Sequence, residues 1–326
     1  MKKEDLRIIF MGTPEFAVET LRCLVENEYN VVAVVTQPDK PVGRHASVLQ
    51  APPVKQFALE HGLPVLQPEK MKNPEFVEQL RSYRANLQVV VAFRMLPEVV
   101  WDMPELGTFN VHAALLPQYR GAAPINWAVI NGEKQTGVTT FFLDKDIDTG
   151  RIIMQMPFDI PDEADAEYVY DGLMHLGADI CMKTLERIIE ADGQPESIPQ
   201  EQLVGDYTEL KHAPKLFKEN CEINWQTTAK QVYDFVRGLS PYPGAWTTLL
   251  NGDGHETTLK VFKTTKTDRK NEEPAGSITT DKHHIYITAG NGELLALEEL
   301  QLAGKKRMRA ADFLNGMKDL DTCRLK

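Results

Sequence analysis

The N-terminal part of the chain alternates short apolar runs with stretches in which apolar residues recur at helical spacing. LRIIFMG (6–12) is an apolar run that ends in glycine, a pattern typical of a buried parallel strand. PEFAVETLRCLVEN (14–27) has apolar residues at helical spacing, and Pro14 suits the first turn of a helix. The same alternation predicts further strands at 31–38, 63–68 and 87–93, and further helices at 54–62 and 76–83. This pattern predicts a doubly wound, mostly parallel sheet with helices on both of its faces.

The next part of the chain completes this first domain and ends in a polar segment. Apolar runs predict strands within 108–117, 137–144 and 151–160, and helical spacing predicts helices at 125–132 and 168–193. Residues 194–210 contain two prolines and few apolar side chains, which is typical of a linker or a domain boundary. We therefore expect an α/β domain over residues 1–193.

Beyond residue 210 the pattern of the chain changes. After a short helix predicted at 229–239, the apolar runs become short, rich in strand-forming residues and separated by glycines and polar turns. Such a pattern predicts a small antiparallel barrel or sandwich. We expect it to form a second domain over residues 211–326.

The net charge of −11 is distributed unevenly between these two parts. Residues 206–326 carry 18 basic and 17 acidic side chains, whereas residues 1–205 carry 18 basic and 30 acidic ones. An acidic chain is a weak argument against nucleic-acid binding. The second part is nearly neutral, however, so its basic residues could still face a polyanion.

The sequence carries neither a targeting signal nor a metal-binding spacing. The apolar run LRIIFM is too short for a signal peptide, and no stretch approaches the ~18 apolar residues of a membrane span. Cys23, Cys181, Cys221 and Cys323 form no CxxC pair and no zinc-ligand spacing, so we expect free thiols and no metal. We expect a monomer that stays in the cytoplasm and does not contact a membrane.

The loop after the first predicted strand, GTPEF (12–16), is not a dinucleotide fingerprint. It lacks the GxGxxG spacing, so a dehydrogenase that uses a nucleotide cofactor is disfavoured. Loops at the carboxyl ends of parallel strands are nevertheless where such sheets bind ligands. Polar residues at the ends of the other predicted strands are therefore the candidates for a site.

Three polar residues follow apolar runs in this way. Asn110 and His112 are two positions apart, so in a strand they point to the same face. Asp148 lies in the polar loop DKDIDTG after another apolar run, and the two strand ends could converge on one cleft. On spacing alone, such a pair is more often structural than catalytic, and Asp144 and Asp146 could simply cap their loop.

An amide, an imidazole and a carboxylate suit the transfer of an acyl group to an amine. The carbonyl oxygen becomes negatively charged during the attack and needs donors that are placed in advance. Asn110 can donate through its amide and a protonated His112 through its ring, while a nearby Asp148 favours the charged ring. The imidazole or the carboxylate can relay the proton from the amine to the departing nitrogen. The chain has no GxSxG motif and no cysteine beside a histidine, so it offers no covalent nucleophile.

Two segments around these residues resemble a known family. NVHAALLPQYRGAAPI (110–125), followed by TGVTTFFLDKDIDTG (136–150), is similar to the formyltransferases that use 10-formyltetrahydrofolate. Their pattern is Asn-x-His, a small-Leu-Leu-Pro loop, and then Leu or Met before Asp…Asp-Thr-Gly. Three further segments resemble the members of this family that act on methionyl-tRNA. They are FMGTPEFAV (10–18), VVTQPDKPVGR (34–44) and AGKKRMRAADFLNG (303–316). The resemblance spans nearly the whole chain.

The resemblance implies a fold, a pair of substrates and a set of site residues. It implies a doubly wound N-terminal domain, an OB-like C-terminal barrel, and formyl transfer from 10-formyltetrahydrofolate to the amino group of initiator methionyl-tRNA. Asn110, His112 and Asp148 would take the catalytic roles. The folate would be contacted by Phe93, Arg94, Met95, Leu96, Ala114, Leu115, Leu116, Pro117, Asp144 and Asp146. The tRNA would be contacted by Arg44, Lys305, Lys306, Arg307 and Arg309.

Two other functions stay open at the level of sequence. The first is the same chemistry on a small amine, such as an amino-sugar nucleotide or glycinamide ribonucleotide, although the similarity in GKKRMRAADFLNG favours tRNA. The second is a non-catalytic RNA-binding protein with an OB-like module. That function is disfavoured because the polar trio lies in the acidic first domain, where an RNA-binding protein has no use for it.

Overall fold

The computed structural model describes residues 1–42, 48–205, 207–317 and 319–326. The chain folds into two compact units. The first unit consists of Met1–Gly121, Gln135–Asp159 and Tyr170–His212. The second unit consists of Ala122–Lys134, Ile160–Val169 and Ala213–Lys326. Both units are therefore discontinuous in sequence, and the domain bounds 1–193 and 211–326 stay a prediction.

The regular elements of the described residues are numbered in chain order. The strands are β1 (Ile8–Gly12), β2 (Val31–Val35), β3 (Lys40–Val42), β4 (Val48–Gln50), β5 (Val65–Leu66), β6 (Leu87–Val91), β7 (Thr108–His112), β8 (Arg120–Gly121), β9 (Gln135–Phe142), β10 (Ile152–Asp159), β11 (His212–Ala213), β12 (Ala245–Leu250), β13 (Glu256–Lys270), β14 (Ile278–Thr280), β15 (Ile285–Thr288), β16 (Glu293–Leu302), β17 (Met308–Arg309) and β18 (Arg324–Leu325). The α-helices are α1 (Glu15–Glu26), α2 (Pro53–Glu60), α3 (Pro74–Ser82), α4 (Glu98–Trp101), α5 (Pro124–Ile130), α6 (Ala166–Glu190), α7 (Glu201–Val204), α8 (Ala229–Gly238) and α9 (Ala310–Gly316).

A seven-stranded sheet forms the centre of the first unit, in the order β10-β9-β7-β6-β1-β2-β5. The five strands from β7 to β5 are parallel, whereas β9 and β10 pair antiparallel at the other end. Strand β1 is buried at all five positions, as expected for a strand at the centre of a sheet covered on both faces. The predicted doubly wound, mostly parallel sheet is confirmed.

Helix α3 of the first unit begins and buries its residues as its sequence dictates. In α3, the Asn73 side chain accepts from the Glu75 N–H at 2.9 Å, and Pro74 occupies the first helical position, where its missing N–H costs nothing. The apolar face of α3 joins a core cluster through Phe76, Val77 and Leu80. Local capping and the buried stripe thus agree on the same helix.

The second unit contains an antiparallel sheet in the order β14-β15-β16-β13-β12-β18, with β17 paired to β16. The two ends of this order approach each other. Ser277, beside β14, bridges Arg324 in β18, and the Leu325 N–H donates to the Gly276 carbonyl at 2.8 Å. The sheet is therefore a nearly closed barrel, and the predicted small antiparallel barrel is confirmed.

Two segments differ from their predictions: the strand predicted within 108–117 is shorter, and the linker predicted at 194–210 is partly helical and buried. Of the apolar run 108–117, only Thr108–His112 is a strand, and the following residues form a loop. The segment 194–210, predicted to be a linker, contains the short helix α7 and the fully buried side chain of Gln200. Part of it therefore packs within the first unit.

The sequence predicts neither a membrane span nor a metal site, and the described residues can be searched for both. No helix in that part of the chain combines the length and the apolar composition that crossing a membrane requires. The same residues contain no group of three or more His, Cys, Asp and Glu side chains that could hold a metal ion.

Candidate active site

The end of β7 presents Asn110 and His112 on one face of the first unit's sheet. Asn110 is paired with Val90 of the parallel neighbour and with Phe141 of the antiparallel neighbour β9. The intervening residue Val111 points to the opposite face and is buried, as the two-residue period of a strand requires. His112 is 6% exposed, whereas Asn110 is only half-buried. The amide is thus the more accessible of the two groups.

Both ring nitrogens of His112 face a polar atom of the protein. Nε2 lies 2.9 Å from the Tyr119 carbonyl oxygen, and because a carbonyl can only accept, Nε2 carries a proton and donates. Nδ1 lies 3.8 Å from Oδ2 of Asp148. That separation is longer than a hydrogen bond, so Nδ1 and the carboxylate share no direct bond. Catalytic contacts of this kind often tighten only when substrate is bound.

The Asp148 carboxylate is held at its place by backbone and side-chain bonds. Its Oδ2 accepts from the Gly121 N–H at 2.9 Å, and its backbone has a positive φ of 55°, which is uncommon outside glycine. Nε2 of Gln200 donates to the Asp148 carbonyl and to the Gly150 carbonyl, each at 2.8 Å. A Cβ at Gly150 would lie 1.6 Å from the Phe142 carbonyl oxygen, so only glycine fits there.

The other two acidic residues of this loop differ in their contacts. Oδ1 of Asp144 accepts from the Asp146 N–H at 3.1 Å and from the Thr149 hydroxyl at 2.7 Å. These bonds make Asp144 a cap of its own loop, as its spacing also allowed. Asp146 is exposed. Their predicted contacts to folate stay a prediction.

Two polar side chains, Thr139 and Gln155, hold the loop Ala114–Pro117 after β7 in place through hydrogen bonds to its backbone. The Thr139 hydroxyl donates to the Ala114 carbonyl at 2.6 Å and accepts from the Leu116 N–H at 3.1 Å. Nε2 of Gln155 donates to the Leu116 carbonyl at 2.8 Å and to the Thr139 hydroxyl at 2.9 Å. Leu116 is fully buried, while Leu115 is partly exposed and available to a ligand.

The segment Phe93–Leu96 follows β6 at the same edge of the sheet. Leu96 belongs to the core and Met95 is 72% exposed. The Arg94 guanidinium donates to the carbonyls of Pro68 and Glu69, and burial lowers the pKa of Arg94. Arg94 therefore braces a neighbouring loop of the protein, and the folate contacts expected of Phe93, Arg94, Met95 and Leu96 stay a prediction.

The predicted tRNA contacts lie in the second unit, apart from Arg44, which lies outside the described residues. Lys305, Lys306 and Arg309 are exposed, and none has an acidic partner within ion-pair distance among the residues described. Arg307 differs, because its guanidinium pairs with Glu299 and lies 4.3 Å from the centre of the Phe262 ring. Lys305, Lys306 and Arg309 are therefore the freer charges of this cluster.

A cavity of about 470 Å³ lies elsewhere in the first unit, beside the edge strand β5. It is lined by Leu66, Gln67, Pro68, Glu69, Lys70, Asn73, Glu75, Phe76 and Gln79. None of the residues predicted from the sequence to be catalytic or to contact folate lines it. The convergence of chemistry at the end of β7 is the stronger indication of the site.

Sequence reasoning missed several residues that hold the site together. Tyr119 and Gly121 act through backbone atoms, which carry no residue-type signal, although both lie in the motif that shows the resemblance. Thr139 is a hydroxyl in an apolar strand, and that exception to the pattern could have identified it. Gln200 lies in a polar segment without any signal of its own.

The chain combines a mostly parallel sheet, which carries a candidate site at a strand end, with a nearly closed barrel, and so is an α/β protein with an added β-domain. Residues 6–185 match the model of the family described as Formyl transferase, and residues 215–318 match that described as Formyl transferase, C-terminal domain. The chain therefore belongs to the formyl transferase family.

Named relatives support the same assignment. The chain is 59% identical over 321 residues to a methionyl-tRNA formyltransferase of Parabacteroides distasonis, covering 98% of each chain. It is 55% identical to one of Bacteroides fragilis, covering 97% of this chain and 96% of the relative.

Solved structures show the same fold at low sequence identity. HypX from Aquifex aeolicus in complex with tetrahydrofolic acid gives a TM-score of 0.61 at 19% identity, covering 95% of this chain and 47% of that one. WlaRD, a sugar 3N-formyl transferase, gives 0.61 at 17% identity, covering 92% of this chain and 99% of that one.

Proposed function

We propose that this chain transfers the formyl group of 10-formyltetrahydrofolate to the amino group of initiator methionyl-tRNA. The observation that carries the proposal is the 59% identity to a methionyl-tRNA formyltransferase over 98% of both chains, which includes the second unit as well as the first. Because the similar relatives are named for methionyl-tRNA, a substrate of translation, we propose that the protein acts in the cytoplasm, and that it acts as a monomer.

In the proposed reaction, the free amine attacks the formyl carbon and a carbon–nitrogen bond forms. The carbonyl oxygen takes up the negative charge, and the bond from the same carbon to N10 of the folate then breaks. The amine loses one proton and N10 gains one, so the step needs an oxyanion donor and a proton carrier. It needs no covalent intermediate with the protein.

Asn110 is the proposed oxyanion donor. The side-chain amide of Asn110 is half-buried. Within the described residues this side chain makes no hydrogen bond to another residue, so it is free to bind a substrate oxygen. A preorganised donor loses no energy to reorganisation when charge develops. His112 is less accessible, and its Nε2 is already bonded to Tyr119, so its contribution comes from Nδ1 beside Asp148. We assign proton transfer to this pair.

The proposed folate site lies around the same strand end. Leu115 and Pro117 of the loop after β7 would form one side, and Phe93 and Met95 would form another. The hydrogen bonds from Thr139 and Gln155 keep the first loop in a fixed shape, which reduces the entropy lost on binding. Arg44, Lys305, Lys306 and Arg309 are the proposed contacts to the tRNA, with a smaller share from the paired Arg307, because basic side chains neutralise phosphates.

The test is a formyl-transfer assay with 10-formyltetrahydrofolate and three separate acceptors: methionyl-tRNA, an amino-sugar nucleotide and glycinamide ribonucleotide. We expect rapid formylation of methionyl-tRNA and none of the small amines. Formylation of a small amine in preference to methionyl-tRNA would contradict the proposed acceptor but keep the chemistry. Absence of transfer to all three would contradict the chemistry as well.

A further inference from the structure

The side chain of Gln200 is fully buried, and all of its donors and acceptors are hydrogen-bonded to the loop that carries Asp148 or to Arg120. Its Nε2 donates to the carbonyls of Asp148 and Gly150, each at 2.8 Å. Its Oε1 accepts from Nε and Nη2 of Arg120, at 3.0 and 2.6 Å. A glutamine can make two donations and accept two bonds in this way, so no group of this side chain is left unsatisfied.

The segment Tyr119–Gly121 contacts every member of this arrangement. The Tyr119 carbonyl accepts from His112, the Arg120 side chain binds Gln200, and the Gly121 N–H donates to the Asp148 carboxylate. Gln200 therefore joins this segment to the Asp148 loop from the other side. The distance between the His112 ring and the Asp148 carboxylate depends on both links.

The Asp148 backbone requires such support. Its φ of 55° is a left-handed conformation that a side chain disfavours, and it persists only where surrounding bonds over-determine it. Of the bonds to this stretch, those from Gln200 hold the carbonyl of Asp148 itself and that of Gly150, two residues later. Without them, the peptide groups Asp148–Thr149 and Gly150–Arg151 lose the donor that fixes their carbonyls, so the backbone of this loop could rotate and carry the carboxylate away from His112.

Gln200 is itself held in place by the residues just before it in the chain. The N–H and carbonyl of Ile198 exchange hydrogen bonds with the carbonyl and N–H of Ile152, each at 2.8 Å. Nε of Arg151 also donates to the Ser197 hydroxyl at 2.9 Å. The residues before Gln200 are thus hydrogen-bonded to the start of β10, and these bonds restrict the movement of Gln200.

We propose that Gln200, braced by Arg120, is a positioning residue for formyl transfer that sets the Asp148 carboxylate against His112. The inference rests on the proposed function, because it assigns Gln200 to the same site. Gln200 does not touch the reacting atoms. It acts through Asp148, so its removal lowers turnover without weakening the binding of either substrate.

The variant that tests this is Gln200→Glu in the full-length protein. The change keeps the acceptor that faces Arg120 but replaces the donor nitrogen by an oxygen that faces two carbonyl oxygens. We expect kcat to fall on the order of 10²-fold, as a misplaced catalytic group causes. We expect KM for methionyl-tRNA and for 10-formyltetrahydrofolate to stay unchanged. Gln56 lies on α2, and its Nε2 donates to the Ala51 carbonyl just before that helix. Gln56→Glu removes this bond, serves as the control and should keep the wild-type kcat.

A double-mutant cycle with Asp148→Asn separates positioning from a general loss of structure. If Gln200 acts through Asp148, Gln200→Glu should lower kcat little further in the Asp148→Asn background. An equal loss in both backgrounds, or an unchanged kcat in Gln200→Glu, would overturn the proposal. If Gln200→Glu does not fold, Gln200→Met removes the donors without placing an oxygen against the carbonyls and should give the same loss.

A spectroscopic measurement separates this proposal from the proposed function. The ¹⁵N NMR signal of His112 Nδ1 reports the neighbouring carboxylate and requires no substrate. Gln200→Glu should move that signal in the direction in which Asp148→Asn moves it, whereas Gln56→Glu should leave it in place. A signal that Asp148→Asn moves and Gln200→Glu does not would overturn the positioning role, whichever amine the enzyme formylates.

Discussion

Two buried pairs of acid and base, one in each unit, are built in opposite ways. In the second unit, Oδ1 of Asp234 accepts from Nε of Arg237 at 2.8 Å, and its Oδ2 accepts from Nζ of Lys230 at 2.5 Å. The Arg237 guanidinium also donates to the Ala164 carbonyl at 2.7 Å. In the first unit, His112 and Asp148 are 3.8 Å apart and share no direct bond.

The difference is one of unused bonding capacity. The Asp234–Arg237 pair is satisfied by the protein, so it has nothing left to offer a substrate and serves to hold α8 to the segment before α6. The His112–Asp148 pair is held close together by backbone bonds, but its facing atoms are not committed to each other. We therefore infer a structural role for the saturated pair and propose a chemical role for the pair whose facing atoms are not bonded to each other.

The largest effect is expected when the saturated pair is broken. Arg237→Ala leaves the Asp234 carboxylate buried with only a half-exposed lysine as its partner. Removing one member of a buried pair typically costs about 3–5 kcal/mol of unfolding free energy. Chemical denaturation should show this loss, while kcat at saturating substrate and low temperature should change little.

A matched control for this variant exists on the surface of the first unit. Arg81 and Glu78 are also three residues apart in a helix, but both side chains are more than half exposed. Arg81→Ala should therefore cost less than about 1 kcal/mol. Equal destabilisation by the two variants would contradict the distinction between a buried and an exposed pair.

The next largest effect is expected at the site, on rate instead of stability. His112→Ala and Asn110→Ala should each lower kcat by about 10²–10³, equivalent to roughly 3–4 kcal/mol of transition-state stabilisation. Asp148→Ala should be at least as damaging, because it removes the partner of the His112 ring. Single-turnover formylation at saturating substrates is the measurement, with circular dichroism to establish folding.

The control for His112→Ala is another histidine that faces a carboxylate. His175 lies 3.5 Å from Glu19, but its side chain is 65% exposed. His175→Ala should keep the wild-type kcat. A soluble His112→Ala protein with wild-type turnover would show that the site has been assigned to the wrong residues.

The smallest effect is expected for the basic cluster of the second unit. Lys305→Ala and Lys306→Ala together should weaken methionyl-tRNA binding and flatten the plot of log affinity against log salt. The expected change in slope is roughly 0.7–0.9 for each phosphate that these side chains no longer neutralise. Arg307→Ala should change the slope less, because Arg307 is paired with Glu299. A slope that is the same in wild type and in the double variant would place the tRNA on a different surface.

The sequence by itself predicted the two architectures, and its resemblance to a known family proposed the polar residues of the candidate site. The alternation of apolar runs and helical spacing predicted the parallel sheet, and the change of pattern after residue 210 predicted the barrel. The two-residue period of a strand placed Asn110 and His112 on one face, as the structure has them. These features are local, so the order of residues is enough to specify them.

Only the tertiary structure decided what holds those residues in place. Gln200 lies 52 positions along the chain from Asp148, in a segment whose composition indicates a linker, yet it is fully buried against that loop. The Tyr119 carbonyl and the Gly121 N–H serve the site through atoms that every non-proline residue possesses. The sequence cannot identify such partners, because a hydrogen bond between distant segments depends on where the folded backbone brings them together.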